Sequence, residues 1–523
     1  MPRGWLEYRE QRLKKRAGFG AVAYNFWVQN KALRSLLMGF LLAACSSSGV
    51  QTPQAQSTSA PAKQMPAQTA LAKQPAAPET PTPDPPRNIP TSGVITTTYT
   101  VRYGDTLSGI AAAIDASMDD LQRINNLPNA AAIRAGQDLL VLVRVEGRGP
   151  SIKLLPDGEV VNGPAAVGFD LRGFVESRKG YLTSYTEKVD GEIMTGWQVI
   201  QRVSEQHSVN PRLLLAALAY SGGWVDDPSP SGAKLQYPLG SMSGGKTLYY
   251  QLSWAAARLN EGYYGWRLGT RLFVRFGDGS RAYVGDRINA GTAAAQNYLA
   301  AVTPRAGWAQ AAGEGDGAFI QTYRKLFGDS WAHDTGVPIP ANTKQPPLAL
   351  PFSRGEMWYF TGGPHAAWSA GTPWGALDFA AASTQGCSEL SEWVTASASG
   401  KVARSALGEV VQSLDASGDE RVGWSVLYLH IGTIGRATAG AMLALGDPVG
   451  HPSCEGGAAD GAHVHLVRKY NGEWITAGGS IPFVLDGWTA YETDTDYEGF
   501  LRKGDQTREA LQAKQPEKNG LVR

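Results

Sequence analysis

Histidine and cysteine are scarce in this chain, and bulk charge of either sign is missing. There are seven histidines and three cysteines in 523 residues, and the formal net charge is +1. No long Lys/Arg stripe occurs beyond the N-terminus, so no bulk electrostatic pull toward nucleic acid is expected. Long hydrophobic runs are also missing. The apolar stretch Leu36–Ala44 is too short to span a bilayer, which takes roughly 20 apolar residues.

The chain is too long for one core, and its length suggests about three or four domains. With 43% hydrophobic and 18% charged residues, the composition is ordinary for globular protein. Gly, Trp and Tyr are generous, which favours loop-rich, β-rich or carbohydrate-facing parts.

The N-terminus reads as an address. Arg3, Arg9, Arg12, Lys14, Lys15, Arg16, Lys31 and Arg34 precede the apolar run, which ends at Cys45. A basic stretch, a short apolar core and small residues before a cut describe a signal peptide over residues 1–45. The long basic region leaves room for a later translation start. Leu42-Ala43-Ala44-Cys45 resembles the lipobox of bacterial lipoproteins, which implies lipidation of Cys45 and attachment to a membrane surface. Residues 46–96 are rich in Pro, Ala, Gln and Thr and poor in large apolar side chains. Such a segment cannot offset the entropy of folding and is expected to be a disordered linker.

Residues 97–144 read as strand, two helices, strand. Thr98 to Val101 alternates as a strand, Asp105 or Thr106 caps a helix, and Ile110, Ala111 and Ile114 recur at helical spacing. Leu121, Ile124 and Asn125 mark a second helix, and Leu139 to Val141 a closing strand. Tyr99-Thr100-Val101, Gly104-Asp105-Thr106-Leu107, Asn125, Ile133 and Gly136-Gln137 resemble the LysM domain. That resemblance implies binding of N-acetylglucosamine-containing glycans, with Gly104, Asp105, Thr106 and Ile133 at the groove.

Residues 145–345 read as a mainly helical domain. Leu213 to Leu218 form a buried helix begun at Asn210-Pro211. An apolar face runs from Tyr249 through Leu259 and is expected to break at Tyr263-Tyr264-Gly265-Trp266. Val209 to Leu218, extended by Ser221, Gly222 and Trp224, resembles the helix before the catalytic acid of lysozyme-like transglycosylases. Glycosidic cleavage needs a general acid. Ala219, Tyr220 and Ser221 stand where that family places Glu. The domain therefore reads as a non-catalytic relative or a spacer that grips glycan through Trp224.

The last third holds the chemistry. Five of the seven histidines lie between positions 365 and 465. On a strand, His463 and His465 would share a face, with Val464 opposite. His365 follows Gly362-Gly363-Pro364, and Asp378 sits inside the apolar run Ala376-Leu377-Asp378-Phe379. A buried, unpaired carboxylate is costly, and a cation removes the penalty. Two histidines and one carboxylate with an open fourth position form the ligand set of a catalytic zinc site. His207 and His333 read as ordinary satisfied residues, and His451 as a loop residue. Trp358, Trp368 and Trp374 line a groove or pack a β-core.

These three motifs, with Tyr428-Leu429-His430 between them as the fourth, resemble the lysostaphin/LytM-type zinc endopeptidases, most closely their beta-lytic branch. The resemblance implies a β-rich domain with an antiparallel sheet, one Zn2+ held by His365, Asp378 and His465, and catalytic His430 and His463. The branch has a disulfide comparable to Cys387–Cys454; two reduced thiols or thiolate ligands are the alternatives. The fold class expected is therefore multidomain: a βααβ LysM-like module, a mainly α middle domain, and a β-rich metallopeptidase domain over residues 346–500, followed by a polar tail at 501–523. The function implied is hydrolysis of stem-peptide or cross-bridge bonds in peptidoglycan by a monomeric, membrane-anchored envelope protein. A non-catalytic wall scaffold and a protease acting on foreign proteins are the rival classes.

Overall fold

The computed structural model describes residues 87–523 apart from 104, 115, 241–244 and 389. Cys45, the signal peptide, the linker up to residue 86 and Gly104 lie outside the described residues. Among those described, no helix is long and apolar enough to cross a membrane.

The first module pairs β1 (Ser92–Thr100) antiparallel with β2 (Asp138–Glu146), enclosing α1 (Leu107–Ala113) and α2 (Met118–Ile124). Thr106 caps α1 by accepting from the Gly109 N–H at 3.1 Å. The first strand begins at Ser92, so residues 92–96 are strand and not linker. Register explains this: Ser92 to Thr96 pair with Glu146 to Leu142, giving their backbone groups partners that composition could not reveal.

The middle region is built around α3 (Gly196–His207), α4 (Pro211–Gly222), α5 (Leu248–Leu268), α6 (Ala290–Val302) and α7 (Phe319–Phe327). Asn210 caps α4 and Pro211 occupies its first turn, where a missing N–H costs nothing. The expected break at Tyr263–Trp266 does not occur; α5 continues to Leu268 and ends at Gly269. Tyr263, Tyr264 and Trp266 are all buried, so the aromatics are packing residues of the helix. Gly262 lets α5 approach α6, since a Cβ there would lie 2.5 Å from the Ala293 carbonyl. Trp224 does not face a glycan. It is 1% exposed and donates its indole N–H to the Lys234 carbonyl.

The last region is organised on one nine-stranded sheet. Its strands are β3 (Met357–Ala366), β4 (Trp374–Ala381), β5 (Gly400–Ala406), β6 (Glu409–Ser413), β7 (Trp424–Leu429), β8 (Met442–Leu443), β9 (Val464–Tyr470) and β10 (Gly520–Val522), with Glu473–Trp474 paired beside β9. The spatial order is β8-β5-β6-β7-β9-β4-β3-β10. All the pairings in this sheet are antiparallel. Residues 501–523 are therefore no loose tail. Leu511 and Leu521 are buried, and β10 covers the β3 edge with Leu521 opposite Trp358.

Alternation divides this sheet into two buried faces. Phe360, Leu377, Phe379, Val426, Tyr428, Val464 and Leu466 pack into the core of the β region itself. Ala376, Val411, Leu427, Leu429 and Val467 point the other way and join the core of the helical region. Polar contacts stitch the same seam: Gln206 to Glu409 at 2.7 Å, Tyr263 to Glu473 at 3.1 Å, and the Trp474 N–H to the Tyr264 hydroxyl at 3.0 Å. A strand buried on both faces has no polar side to display, which is why these runs read as nearly continuous apolar sequence.

Candidate metal centre

Four neighbouring strands bring the predicted residues together. In register, Asp378 on β4 stands opposite Gly362 on β3 and His465 on β9, and His465 stands opposite Leu429, the residue before His430. Strand β3 is irregular between Gly362 and Ala366. Such irregularities re-aim side chains, here bringing His365 to the centre. Gly362 is required by space: a Cβ would lie 2.4 Å from Asp378 Oδ2.

One nitrogen or oxygen from each of His365, Asp378 and His465 lies within 4.8 Å of the others, and all three residues are buried. His365 Nε2 is 3.4 Å and His465 Nδ1 3.2 Å from Asp378 Oδ1. His463 Nε2 stands 3.8 Å from the same oxygen. The outer nitrogens are occupied. His365 Nδ1 donates to the Gly363 carbonyl at 2.8 Å, and His465 Nε2 to the Ala367 carbonyl at 3.1 Å. Each bond fixes a tautomer and leaves the inward nitrogen with its lone pair.

The electrostatics of the site suit a cation. Asp378 Oδ1 is buried and has no hydrogen-bond partner among the described residues. Burial works against its ionisation, but His365, His463 and His465 hold its carboxyl well below the usual carboxylate range. Burial lowers the pKa of His365, against the opposing pull of Asp378. His430 is pushed down to about 3, by burial first and then by His463 and His465. Imidazole nitrogens around an ionised carboxylate are what a divalent cation binds.

The two remaining imidazoles sit alongside. The rings of His430 and His463 are 4.5 Å apart, and His430 is 6.1 Å from the His465 ring. His430 Nδ1 donates to the Glu455 carbonyl at 2.8 Å, and His463 Nδ1 to the Gly461 carbonyl at 2.7 Å. Both thus keep Nε2 as the free nitrogen. Cys387 and Cys454 form a disulfide, with Cα atoms 5.6 Å apart, that ties the loop before His463.

Other predicted residues fall elsewhere. Asp105 accepts from the Tyr99 hydroxyl at 2.8 Å and the Arg102 N–H at 2.7 Å, Thr106 caps α1, and Ile133 packs against the small module's core. His451 packs at a tilt on Trp393, ring centroids 3.8 Å apart, and is not part of the ligand set. Trp358 is a core residue, stacked on Phe352 at 5.2 Å. His207 and His333 are satisfied as expected, His333 meeting the Phe327 carbonyl at 3.2 Å and His207 the Ser369 hydroxyl at 3.3 Å. Sequence reasoning missed Tyr497. Its ring stacks on His365 at 4.0 Å, and its backbone bonds Gly363 and Pro364. No motif or spacing marks it, because it reaches the site from the hairpin region that packs on β3.

Comparison with known proteins agrees with this geometry. Residues 153–341 match the family model "LasA, N-terminal domain", and residues 99–141 match "LysM domain". The stretch likened to a transglycosylase helix lies inside the first match. Protease LasA of Pseudomonas aeruginosa is 25% identical over 372 residues, covering 66% of this chain and 81% of that protein. Beta-lytic metalloendopeptidase of Achromobacter lyticus is 30% identical over 161 residues, 29% of this chain and 40% of that protein. Among solved structures, the M23 metalloprotease pseudoalterin is 22% identical and covers 35% of this chain and 100% of its own, with a TM-score of 0.29. The chain thus holds a LysM match and a LasA N-terminal match, and the region beyond them, similar to two proteins named as peptidases, carries the clustered His/Asp/His triplet.

Proposed function

We propose that this protein is a zinc-dependent endopeptidase of the cell wall, with His365, Asp378 and His465 holding the ion and His430 and His463 moving protons. One observation carries the metal assignment: a buried carboxylate oxygen without a hydrogen-bond partner among the described residues, facing two imidazole nitrogens. Two nitrogens and one oxygen, with no fourth protein ligand among the described residues, suit a catalytic rather than a structural ion. When bound, zinc supplies Lewis acidity to a scissile carbonyl and acidifies water.

The chain's own residues divide the remaining work. Gly363 and Ala367 carbonyls orient the two ligand imidazoles. One free imidazole, His430 or His463, accepts the proton of the attacking water at Nε2. The imidazolium so formed returns that proton to the leaving amine, and the second imidazole, when protonated from solvent, steadies the tetrahedral oxyanion.

Substrate follows from the module and the relatives. The LysM module presents peptidoglycan to the peptidase, which cuts stem-peptide or cross-bridge bonds, with Gly on one side. Gly104, Asp105, Thr106 and Ile133 are the glycan-contact candidates. The lipobox-like Leu42–Cys45 attaches the chain to a membrane through Cys45, and Pro-rich sequence gives it reach into the wall. Mass spectrometry of digested peptidoglycan tests the proposal. New amino termini with wild type, and their disappearance with chelator or His463→Ala, are expected. Undigested wall with zinc-loaded wild type would leave a binding scaffold instead.

A further inference from the structure

The segment beside the disulfide grips His430 from two sides. Ser453 donates its backbone N–H and its hydroxyl to the His430 carbonyl, at 2.7 and 3.1 Å. Two residues on, the Glu455 carbonyl accepts from His430 Nδ1 at 2.8 Å. His430 itself has a φ of 65°, in the left-handed region that residues with a Cβ rarely adopt. Such a conformation persists only where neighbours over-determine it.

Glu455 is the residue that closes this arrangement. Its carboxylate accepts from the Thr433 N–H and the Thr433 hydroxyl, each at 2.8 Å, and from Arg436 at 3.2 Å. Arg436 also donates to the Ile431 carbonyl at 3.1 Å. The Glu455 N–H donates to Ser453 Oγ at 3.0 Å. The turn that follows His430 is thus tied, through one carboxylate, to the segment that holds the imidazole. Cys454, the residue between Ser453 and Glu455, is fastened to Cys387. Ser453 also pairs with His463, so this segment reaches the backbone of both free imidazoles.

We propose that Glu455 is a positioning residue for His430. Its carboxylate anchors its own carbonyl against Nδ1–H, which holds the tautomer that leaves Nε2 as proton acceptor. The proposal rests on the reading of His430 as a proton-moving residue. The Glu455 side chain is 42% exposed, so its removal opens no core cavity. Loss of the anchor frees the ring without disturbing the three metal-binding residues.

The full chain, wild type and Glu455→Ala, is compared for zinc per chain, for KM and kcat on solubilised peptidoglycan, and for the His430 Nδ1–H resonance by 15N-edited NMR. Glu455→Ala is expected to keep full zinc and unchanged KM, to lower kcat by about tenfold, and to lose the Nδ1–H resonance to exchange. Glu455→Gln keeps one acceptor, for the Thr433 N–H, and its amide NH2 can donate to the Thr433 hydroxyl, so it should restore most of kcat and the resonance. Thr433→Val, which deletes one donor, should shift both in the same direction by less. Wild-type kcat in Glu455→Ala, a retained resonance, or a fall explained by zinc loss would overturn the proposal. Absence of chelator-sensitive hydrolysis by wild type would instead refute the peptidase reading, while the resonance would still decide whether Glu455 fixes the ring.

Discussion

Two buried carboxylates in this molecule face opposite fates. Glu159, in the helical region, is fully buried with both oxygens engaged: Tyr323 donates to one, and Arg212 at 3.1 Å and Asn210 at 3.3 Å to the other. Asp378, in the sheet, has one oxygen without a hydrogen-bond partner among the described residues and imidazoles on several sides. Glu159 is closed by donors whose protons are permanent. Asp378 is surrounded by nitrogens whose protons are pinned elsewhere. The difference separates a structural acid, which folding satisfies, from a site acid, which folding leaves for a cation.

Replacing the two acids should break this contrast in different ways. Asp378→Ala should abolish both zinc binding and hydrolysis while the chain stays folded, read by metal analysis and circular dichroism; full zinc in that variant would remove Asp378 from the centre. His463→Ala sharpens the same side. It should keep zinc but lower kcat by about 10²–10⁴-fold, the range for a lost general acid or base. Glu159→Ala should do the reverse of Asp378→Ala. It leaves a buried Arg212 without its partner, at about 3–5 kcal/mol of stability, and leaves zinc per folded chain unchanged. Urea unfolding checks this, and a neutral result would mean the Glu159 network is relaxed by water.

The smallest effect concerns the seam between the two regions. His207 lies there, buried, with its pKa pushed down to about 4 by burial. The unfolded chain takes up this proton as pH falls through about 6.5, whereas the folded chain does not until about 4. Its neutral form therefore supports folding fully above that window, and the support falls as pH drops through it, by about 3 kcal/mol in all. Stability measured from pH 7 to pH 4 should show this slope, and His207→Gln should flatten it. An identical slope in the variant would assign it to other groups.

Much of the centre was legible because its chemistry restricts residue type. Few side chains bind a divalent ion, and a chain with so few histidines cannot cluster them without notice. Asp378 stood out because an acid in an apolar strand is expensive. The elements of the small module were legible from its caps and helical spacing, and its LysM character from a resemblance of motifs. Less legible were features set by contact. The α5 helix runs through Tyr263–Trp266 because α6 and the sheet bury those aromatics. The polar-looking last residues are ordered because β3 offers an open edge to pair with. Trp224 and Trp358, plausible as ligand-facing residues, are core because their neighbours enclose them. Tyr497 left no local signal at all.

The sequence by itself determined which atoms could bind a metal and which turns and helices would start where they do, since residue chemistry and short-range sterics act without the rest of the fold. Only the tertiary structure decided that His365, Asp378 and His465 share one point, that His430 takes a left-handed backbone beneath Glu455, and that one sheet serves two cores. Those outcomes depend on strand register and on both faces of the sheet finding partners, and such long-range pairing has no counterpart in local sequence.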